Sequence, residues 1–224
     1  MSNNTRLLLN ILLLLSIVWV ADYAIGITQE VTFSDPNLEL AIREVLNKPE
    51  GPILTSELQK LKAFTATGRS ITYLEGLEYL TNLESLSLAE NNISDVSPLA
   101  SLSNLKTLIL LENQIKDISP LASLDNLSRL HLLGNQINDI SPLTSLSKLY
   151  SLVLSENRIT DISALTSLKT LTNLYLRDNQ LVDISPLASL SNLEVLGLQR
   201  NPLNSASIDT FIPQLERRGT KVIW

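Results

Sequence analysis

The residues that could carry chemistry are few and widely separated in this chain of 224 residues. His131 is its only histidine, and the chain contains no cysteine. A histidine that acts as a general base needs a nucleophile and an orienting acid within reach. The alternate positions beside it hold Arg129 and Leu133 instead. We therefore interpret His131 as a polar contact residue and predict that the protein is not an enzyme and needs no cofactor.

Aspartate and asparagine each recur at a fixed spacing of 22 residues. A column of stacked carboxylates could bind calcium, which prefers oxygen ligands. The chain lacks the glycine-rich aspartate pattern of calcium-binding repeats, so we favour a structural role, in which each aspartate caps a bend. We predict no metal site. The columns are Asp95, Asp117, Asp139, Asp161 and Asp183, and Asn91, Asn113, Asn135, Asn157, Asn179 and Asn201.

Both columns belong to an internal repeat that reads L-x-x-L-x-L-x-x-N-x-I-x-D-I-S-P-L-x-x-L-x-x. Five copies fill residues 83–192 without insertion, and a degenerate copy lies on either side. The alternating L-x-L predicts a short strand. Serine followed by proline cannot continue that strand and predicts a short 3₁₀ turn. Stacked units predict an α/β solenoid, the leucine-rich-repeat horseshoe, with a parallel concave sheet and 3₁₀ turns on the convex side.

Seven apolar positions in each unit are expected to point inward, and a single unit cannot bury them alone. The asparagine at the bend can hydrogen-bond to backbone groups there and in the next unit, which would produce a ladder. Losing one asparagine would leave buried backbone groups unpaired, at a cost of roughly 1–3 kcal/mol. The inward positions of the second regular copy are Leu105, Leu108, Leu110, Ile115, Ile118, Leu121 and Leu124.

Residues 27–60 are predicted to form a helical cap, because a solenoid needs a cover on each end face. The segment Ser34-Asp35-Pro36 supplies a helix N-cap followed by proline in the first turn. A second helix is expected to begin at or just before Ser56, where Ser56 and Gln59 match a capping box. The apolar stripe of the first helix is predicted to be Leu38, Ile42, Val45 and Leu46.

The repeats are expected to fill residues 61–204, and residues 205–224 are expected to form a C-terminal helix-strand cap. A helix is predicted over residues 205–218, broken or restarted at Pro213. Residues 221–224 can then form a last strand.

The N-terminal residues 1–26 match a secretory signal peptide. Arg6 precedes an almost wholly apolar run over residues 7–20, and small residues follow up to Gly26, after which cleavage is expected. An uncleaved membrane anchor is the alternative, but the run is short for a span of about 20 residues. We therefore expect the protein to be secreted or exposed at the cell surface, with membrane contact only through this segment if it is not cleaved.

The repeated Asn-x-Ile-x-Asp-Ile-Ser-Pro-Leu and the segment GLEYLTNL (76–83) resemble the internalin-type leucine-rich-repeat proteins of bacteria. The segment DPNLELAIR (35–43) is similar to the N-terminal cap of that family, and the resemblance covers residues 31–204. It implies an extracytoplasmic protein that holds a partner on its concave sheet. The chain shows no immunoglobulin-like domain after the repeats and no wall-sorting motif or wall-binding modules, so anchorage to a cell wall is not expected.

The third, fifth and seventh positions of each unit are expected to face the concave side. Strands favour β-branched and aromatic residues without any partner, but apolar residues that cluster across consecutive strands are typical of interfaces. Four apolar residues are expected to be neighbours, with two arginines, a histidine and a tyrosine around them. The predicted partner-binding residues are Ile109, Leu111, Arg129, His131, Leu133, Val153, Tyr175 and Arg177.

These patterns predict an exported recognition module, a monomer that binds a protein or a surface glycan on its concave face. A cytosolic regulatory scaffold, like the phosphatase regulators built from repeats of the same length, is one alternative. A purely structural spacer is another. The net charge of −6 and the absence of basic runs argue against nucleic acid as the partner.

Overall fold

The computed structural model describes residues 28–224, so the predicted signal peptide lies outside the described residues. Within that range an eight-stranded parallel sheet follows chain order from β3 to β10. A separate antiparallel pair, β1 (Glu30–Val31) and β2 (Ile53–Leu54), precedes it. The sheet strands are β3 (Ala63–Thr65), β4 (Ser85–Ser87), β5 (Thr107–Ile109), β6 (Arg129–His131), β7 (Ser151–Val153), β8 (Asn173–Tyr175), β9 (Val195–Gly197) and β10 (Lys221–Ile223).

The strand register repeats along the solenoid because the regular copies contain no insertion. Leu108 of β5 is paired with Leu130 of β6, which is paired with Leu152 of β7. The step is 22 residues each time, so equivalent positions of successive units form straight columns. The predicted α/β solenoid with a parallel sheet is therefore confirmed.

A short 3₁₀ turn follows each bend, four of these turns contain the Ser-Pro pair that predicts them, and aspartates cap five. The backbone N–H of Ser119 donates to Oδ1 of Asp117 at 2.8 Å, and the Ser119 hydroxyl donates to Oδ2 at 3.0 Å. These two hydrogen bonds hold the pKa of Asp117 below its ordinary value. The turns span Leu77–Tyr79, Ser97–Ser101, Ser119–Ser123, Ser141–Ser145, Ser163–Ser167 and Ser185–Ser189.

The core is a column of leucine and isoleucine that runs the length of the solenoid. All seven inward positions predicted for the second regular copy are fully or almost fully buried. Phe64 of β3 is the one aromatic side chain among the buried core residues of the described range. Because each layer is closed by its neighbours, burial of apolar surface stabilises the array repeat by repeat.

The predicted asparagine ladder is present, but its long-range bonds run to the preceding unit rather than to the next one. The Nδ2 of Asn113 donates to the carbonyl of Leu88 at 3.0 Å and to that of Leu110 at 3.1 Å. Its Oδ1 accepts from the N–H of Ile93 at 3.0 Å. Each asparagine therefore satisfies backbone groups in two units, which would otherwise be buried without a partner.

A second ladder, which the sequence analysis missed, lies at the last position of the unit. Asn104 donates from Nδ2 to the carbonyl of Thr81 at 2.8 Å, and Asn126 donates to that of Ser103 at 2.9 Å. Lys148 interrupts this column and instead donates from Nζ to Oδ1 of Asn126 at 2.6 Å. The other members are Asn82, Thr170 and Asn192.

The N-terminal cap contains α1 (Pro36–Leu46) and the single turn α2 (Thr55–Leu58). Leu38 and Ile42 are fully buried as predicted, but Val45 is exposed and the stripe is completed by Ala41. The capping box predicted at Ser56 and Gln59 is wrong. The N-cap is Leu54, and Oε2 of Glu57 accepts from its N–H at 2.9 Å.

Asp35 joins this cap to the first repeat through both carboxylate oxygens. Oδ1 caps α1 by accepting from the N–H groups of Asn37 and Leu38 at 2.9 and 3.3 Å. Oδ2 accepts from the N–H groups of Thr72 and Tyr73 at 2.6 and 3.1 Å. Burial by itself would raise the pKa of Asp35, but the four hydrogen bonds outweigh burial and lower it.

The C-terminal cap begins with a π-helical segment, Ser207–Phe211, and continues as α3 (Ile212–Arg217). The backbone stays helical through Ala206, Phe211 and Ile212, so Pro213 lies within a continuous helical stretch. In place of the predicted break or restart, the structure shows a change from π-helical to α-helical hydrogen bonding just before Pro213. The hydroxyl of Thr220 donates to the carbonyl of Leu193 at 2.8 Å. The chain then enters β10, the predicted last strand, which completes the sheet beside β9.

Candidate protein-binding face

The fifth positions of the units form a row across the middle of the concave sheet. In the strand register His131 lies between Ile109 of β5 and Val153 of β7, and Val153 is paired with Tyr175. Neighbouring strands lie about 4.8 Å apart. The structure therefore places these four predicted residues side by side, with His131 between the two apolar residues.

The apolar side chains of this face are partly buried rather than projecting. Ile109, Leu111, Leu133 and Val153 each retain some exposed surface, and Leu111 and Leu133 follow β5 and β6 at the seventh position. We call these four residues the apolar patch. The most exposed large apolar residues of the described range lie elsewhere, at Leu40, Val45, Tyr73, Val182, Ile223 and Trp224.

The seventh position carries side chains of different size from copy to copy. Ala89 and Ser155 are small and buried there, whereas Leu111, Leu133 and Arg177 keep some exposed surface. Ala89 is not part of the buried core cluster, so its low exposure does not place it inside the solenoid. Among the regular copies, the exposed surface at this position is therefore contributed by the second, third and fifth.

Tyr175 leans across a glycine of the following strand. A Cβ atom on Gly197 would lie 3.1 Å from Cδ1 of Tyr175, so the absence of a side chain gives the ring its space. Gly197 is itself buried beneath this contact. The tyrosine thus bounds one end of the row with a ring whose position is fixed by packing.

His131 has a lowered pKa. Its partial burial is the larger cause, and the positive charge of Arg129 on the same strand adds to it. The imidazole is therefore neutral at neutral pH, and it can donate one hydrogen bond and accept another. The side chain is thus a neutral polar group between Ile109 and Val153.

Arg129 is exposed at the third position and lies against Tyr150, a residue that the sequence analysis did not select. The guanidinium carbon is 5.2 Å from the ring centroid, and Nε donates to the tyrosine hydroxyl. Stacking on an aromatic ring reduces the entropy that an arginine loses when it binds a partner. The sequence feature that could have identified Tyr150 is its aromatic side chain at the second position of the unit, next to the third position.

Arg177, which was predicted to lie at the edge of the apolar patch, forms ion pairs within the protein. Its NH2 group pairs with Glu156, and its Nε lies 2.9 Å from Oδ2 of Asp178. Arg200 approaches the other oxygen of Asp178 at 3.3 Å. The charge of Arg177 is therefore balanced locally, although part of its side chain remains exposed.

The eighth position, three residues after the end of each concave strand, carries acidic residues in a left-handed backbone conformation in four units. The φ angles are 56° at Glu90, 53° at Glu112, 57° at Glu156 and 52° at Asp178. We call these four residues the acidic rim. The acidic rim was not predicted from the sequence, although its spacing is visible there, because only the third, fifth and seventh positions were expected to face the concave side.

Gly134 occupies the eighth position between Glu112 and Glu156 and leaves room for a neighbouring carboxylate. A Cβ atom on Gly134 would lie 2.6 Å from Oε1 of Glu112. The carboxylate of Glu112 therefore extends over the glycine, which directly follows Leu133 of the apolar patch. This places a negative charge against the edge of that patch.

The remaining chemistry considered for this chain has no site in residues 28–224. Those residues contain no group of three or more His, Asp or Glu side chains that could hold a metal ion. The carboxylates of the aspartate column accept the backbone hydrogen bonds that cap the 3₁₀ turns. No helix within the same range is long and apolar enough to span a membrane.

Comparison with known proteins agrees with this architecture. The model for the leucine-rich-repeat family, which describes two copies of the unit, matches residues 81–123, 103–145, 125–167 and 169–213. Internalin C2 (InlC2) of Listeria monocytogenes is 32% identical with a TM-score of 0.65, over 86% of this chain and 92% of that chain. The chain belongs to the internalin-type leucine-rich-repeat proteins.

Two further solved structures are similar. An internalin (InlF) of Listeria monocytogenes has a TM-score of 0.79 at 35% identity, and the match covers 85% of this chain but 56% of that one. A leucine-rich-repeat protein of Leptospira interrogans has a TM-score of 0.65 at 25% identity, over 75% of this chain and 50% of that chain. No curated protein matches this internalin-type chain significantly.

Proposed function

We propose that this protein is an exported recognition module that binds a protein partner through the concave face of its solenoid. One observation carries the proposal: Leu111 and Leu133 occupy equivalent positions of adjacent units, beside the row that holds Ile109 and Val153, where the solenoid core does not require apolar side chains. Membership of the internalin-type proteins supports an interaction role. A fold does not by itself define a partner, so the proposal depends on these side chains.

The apolar patch would be the centre of the interface, because burial of apolar surface provides most of the binding energy in protein interfaces. Tyr175 and Arg129 are residue types that often dominate binding, and packing already restricts both side chains. His131 would contribute a hydrogen bond within the patch. Arg177, which is paired inside the protein, would contribute contact area more than charge.

Export is the second part of the proposal and rests on the N-terminal sequence alone. If residues 1–26 are a cleaved signal peptide, the chain recovered from the culture medium of expressing cells begins at Ile27. N-terminal sequencing and intact mass measure this directly. Recovery of the whole chain from the membrane fraction would support the uncleaved anchor, and recovery from the cytosol would support the intracellular scaffold.

The binding face is tested by affinity capture with immobilised protein, from surface and secreted extracts, followed by mass spectrometry. Ile109→Asp and Tyr175→Ala should abolish capture of a ligand that the unchanged protein holds. Val182→Asp and Tyr73→Ala are matched controls, because both residues are exposed and lie outside the concave strands. Circular dichroism first establishes that all four variants are folded.

The outcomes separate the alternatives. Capture that is lost in the concave variants and kept in the controls supports the proposal. Equal capture by all variants would place the interface on the turns or caps and remove the proposed site. Capture that disappears when the extract is treated with glycosidases would indicate a glycan partner, and no specific capture by any form would favour a structural spacer.

A further inference from the structure

We propose that the partner is a protein that presents an apolar side chain flanked by lysine or arginine, whose positive charge lies against Glu90 and Glu112 of the acidic rim. This inference rests on the proposed function, because it specifies the chemistry of a partner on the same face. It depends on three features of the structure: which rim residues are already neutralised, where the others lie, and how the opposite edge is charged.

Half of the acidic rim is neutralised within the protein and half is not. Glu156 pairs with Arg177, and Asp178 lies between Arg177 and Arg200. Glu90 and Glu112 are exposed and make no side-chain hydrogen bond or ion pair with any residue between 28 and 224. Their backbones occupy equivalent positions of adjacent units, about 4.8 Å apart along the solenoid, and the carboxylate of Glu112 extends toward the next unit, over Gly134. A cation on the partner at this edge would offset two like charges.

The unpaired carboxylates border the apolar patch. Glu112 directly follows Leu111 in the chain, and its carboxylate extends over Gly134, which directly follows Leu133. A partner whose apolar side chain contacts these leucines would therefore bring its neighbouring side chains next to Glu112. The spacing fits an apolar residue with a lysine or arginine one or two positions away.

The opposite edge of the face carries a positive charge at Arg129. Arg129 lies at the third position, at the start of β6, and stacks on Tyr150. A partner is thus oriented across the strands, with its cationic side toward the strand ends that carry Glu90 and Glu112. Complementary charge of this kind mainly increases the association rate and fixes orientation, while the apolar contacts supply affinity. The acidic rim also repels phosphate groups, which disfavours nucleic acid.

The test uses two peptide libraries with the same apolar positions, one with lysine and arginine at the flanking positions and one with aspartate and glutamate. Both are selected against the purified protein produced from the whole sequence. We expect strong enrichment of the basic library. The affinity of a selected peptide should fall about threefold for Glu112→Gln and about tenfold for Glu90→Gln with Glu112→Gln. Glu216→Gln, which removes an exposed charge on α3, should leave the affinity unchanged.

Ile109→Asp separates this inference from the proposed function on which it rests. If both libraries are enriched equally and Ile109→Asp abolishes binding, the concave site stands and the charge preference is wrong. If basic peptides bind but the double glutamine variant keeps full affinity, the assignment to Glu90 and Glu112 is wrong. Binding that survives Ile109→Asp would refute both. If neither library is enriched, the inference is overturned, while the capture experiment still decides the proposed function.

Discussion

Replacement of Asn135 by alanine tests the ladder that joins the repeats. Its Nδ2 donates to the carbonyls of Leu110 and Leu132 at 3.0 and 3.1 Å, and its Oδ1 accepts from the N–H of Ile115 at 3.0 Å. Asn135 is buried, so alanine would leave these groups without a partner at the bend. At roughly 1–3 kcal/mol for each unsatisfied group, and with water able to reach the bend in part, the free energy of unfolding should fall by about 3 kcal/mol.

The control is Asn138→Ala in the same repeat, because Asn138 is exposed and makes no side-chain hydrogen bond within the described residues. Urea unfolding followed by circular dichroism gives the global effect. Hydrogen exchange at the amide of Ile115 gives the local one. Asn135→Asp should be worse than alanine at neutral pH, because a carboxylate would face the carbonyls. If Asn135→Ala and Asn138→Ala differ by less than about 0.5 kcal/mol, the ladder does not stabilise the array as we argue.

Three further predictions concern the cap, the second ladder and the histidine. Asp35→Ala should lower the free energy of unfolding by about 3 kcal/mol, since four N–H groups lose their acceptor. Because the pKa of Asp35 is lowered from 3.8, its stabilisation of the fold is complete above pH 3.8 and is lost as the pH falls further. The difference in the free energy of unfolding between the parent protein and Asp35→Ala should therefore disappear in acid unfolding curves. Lys148→Asn should raise the urea midpoint slightly, by about 0.5 kcal/mol, by restoring a donor to the carbonyl of Asp125; an unchanged or lower midpoint would contradict it. The pKa of His131 lies below 6.5 in the folded protein, so the unfolded chain takes up this proton at a higher pH than the folded protein does. The free energy of unfolding should therefore decline as the pH falls below 6.5, and it should decline less in His131→Gln.

The repeats could be predicted from the sequence because the same pattern occurs five times in succession. A single L-x-L would not distinguish a strand from part of a helix, but the asparagine, aspartate and Ser-Pro elements recur in the same phase. Each fixes a local feature, namely a bend, a cap and a 3₁₀ turn. The register of the sheet follows without further information, since an array without insertions can stack in only one way.

The cap was less predictable because it occurs once. Both Ser56 and Glu57 are residue types that can cap a short helix, and in the structure Glu57 does so, by accepting from the N–H of the N-cap residue Leu54. Asp35 was identified as the start of α1 from its neighbours in sequence. Its second role, as acceptor for Thr72 and Tyr73, depends on how the cap lies against the first repeat. A contact that occurs only once leaves no periodic pattern in the sequence from which it could be predicted.

Within a single unit, too, some features can be predicted from the repeat pattern and others cannot. Positions that face the core hold leucine or isoleucine in nearly every copy, whereas the third, fifth, seventh and eighth positions differ from copy to copy. The periodic pattern therefore predicts where these side chains lie but not which of them pair, such as Arg129 with Tyr150 or Arg177 with Glu156. Pairing of this kind depends on the lengths of side chains in adjacent units, which no repeat pattern encodes.

The residues that stabilise the solenoid differ from those that would form the binding face. Because the buried columns and the asparagine ladder hold the solenoid together, concave residues can change with little effect on folding. Variants such as Ile109→Asp and Glu112→Gln should therefore keep the circular dichroism spectrum and urea midpoint of the parent protein while they change binding. Gly134 is the exception, because its φ of 69° and the nearby carboxylate of Glu112 couple the surface to the backbone. Gly134→Ala should lower stability by about 1 kcal/mol and also displace Glu112, so that a single substitution affects both folding and the acidic rim.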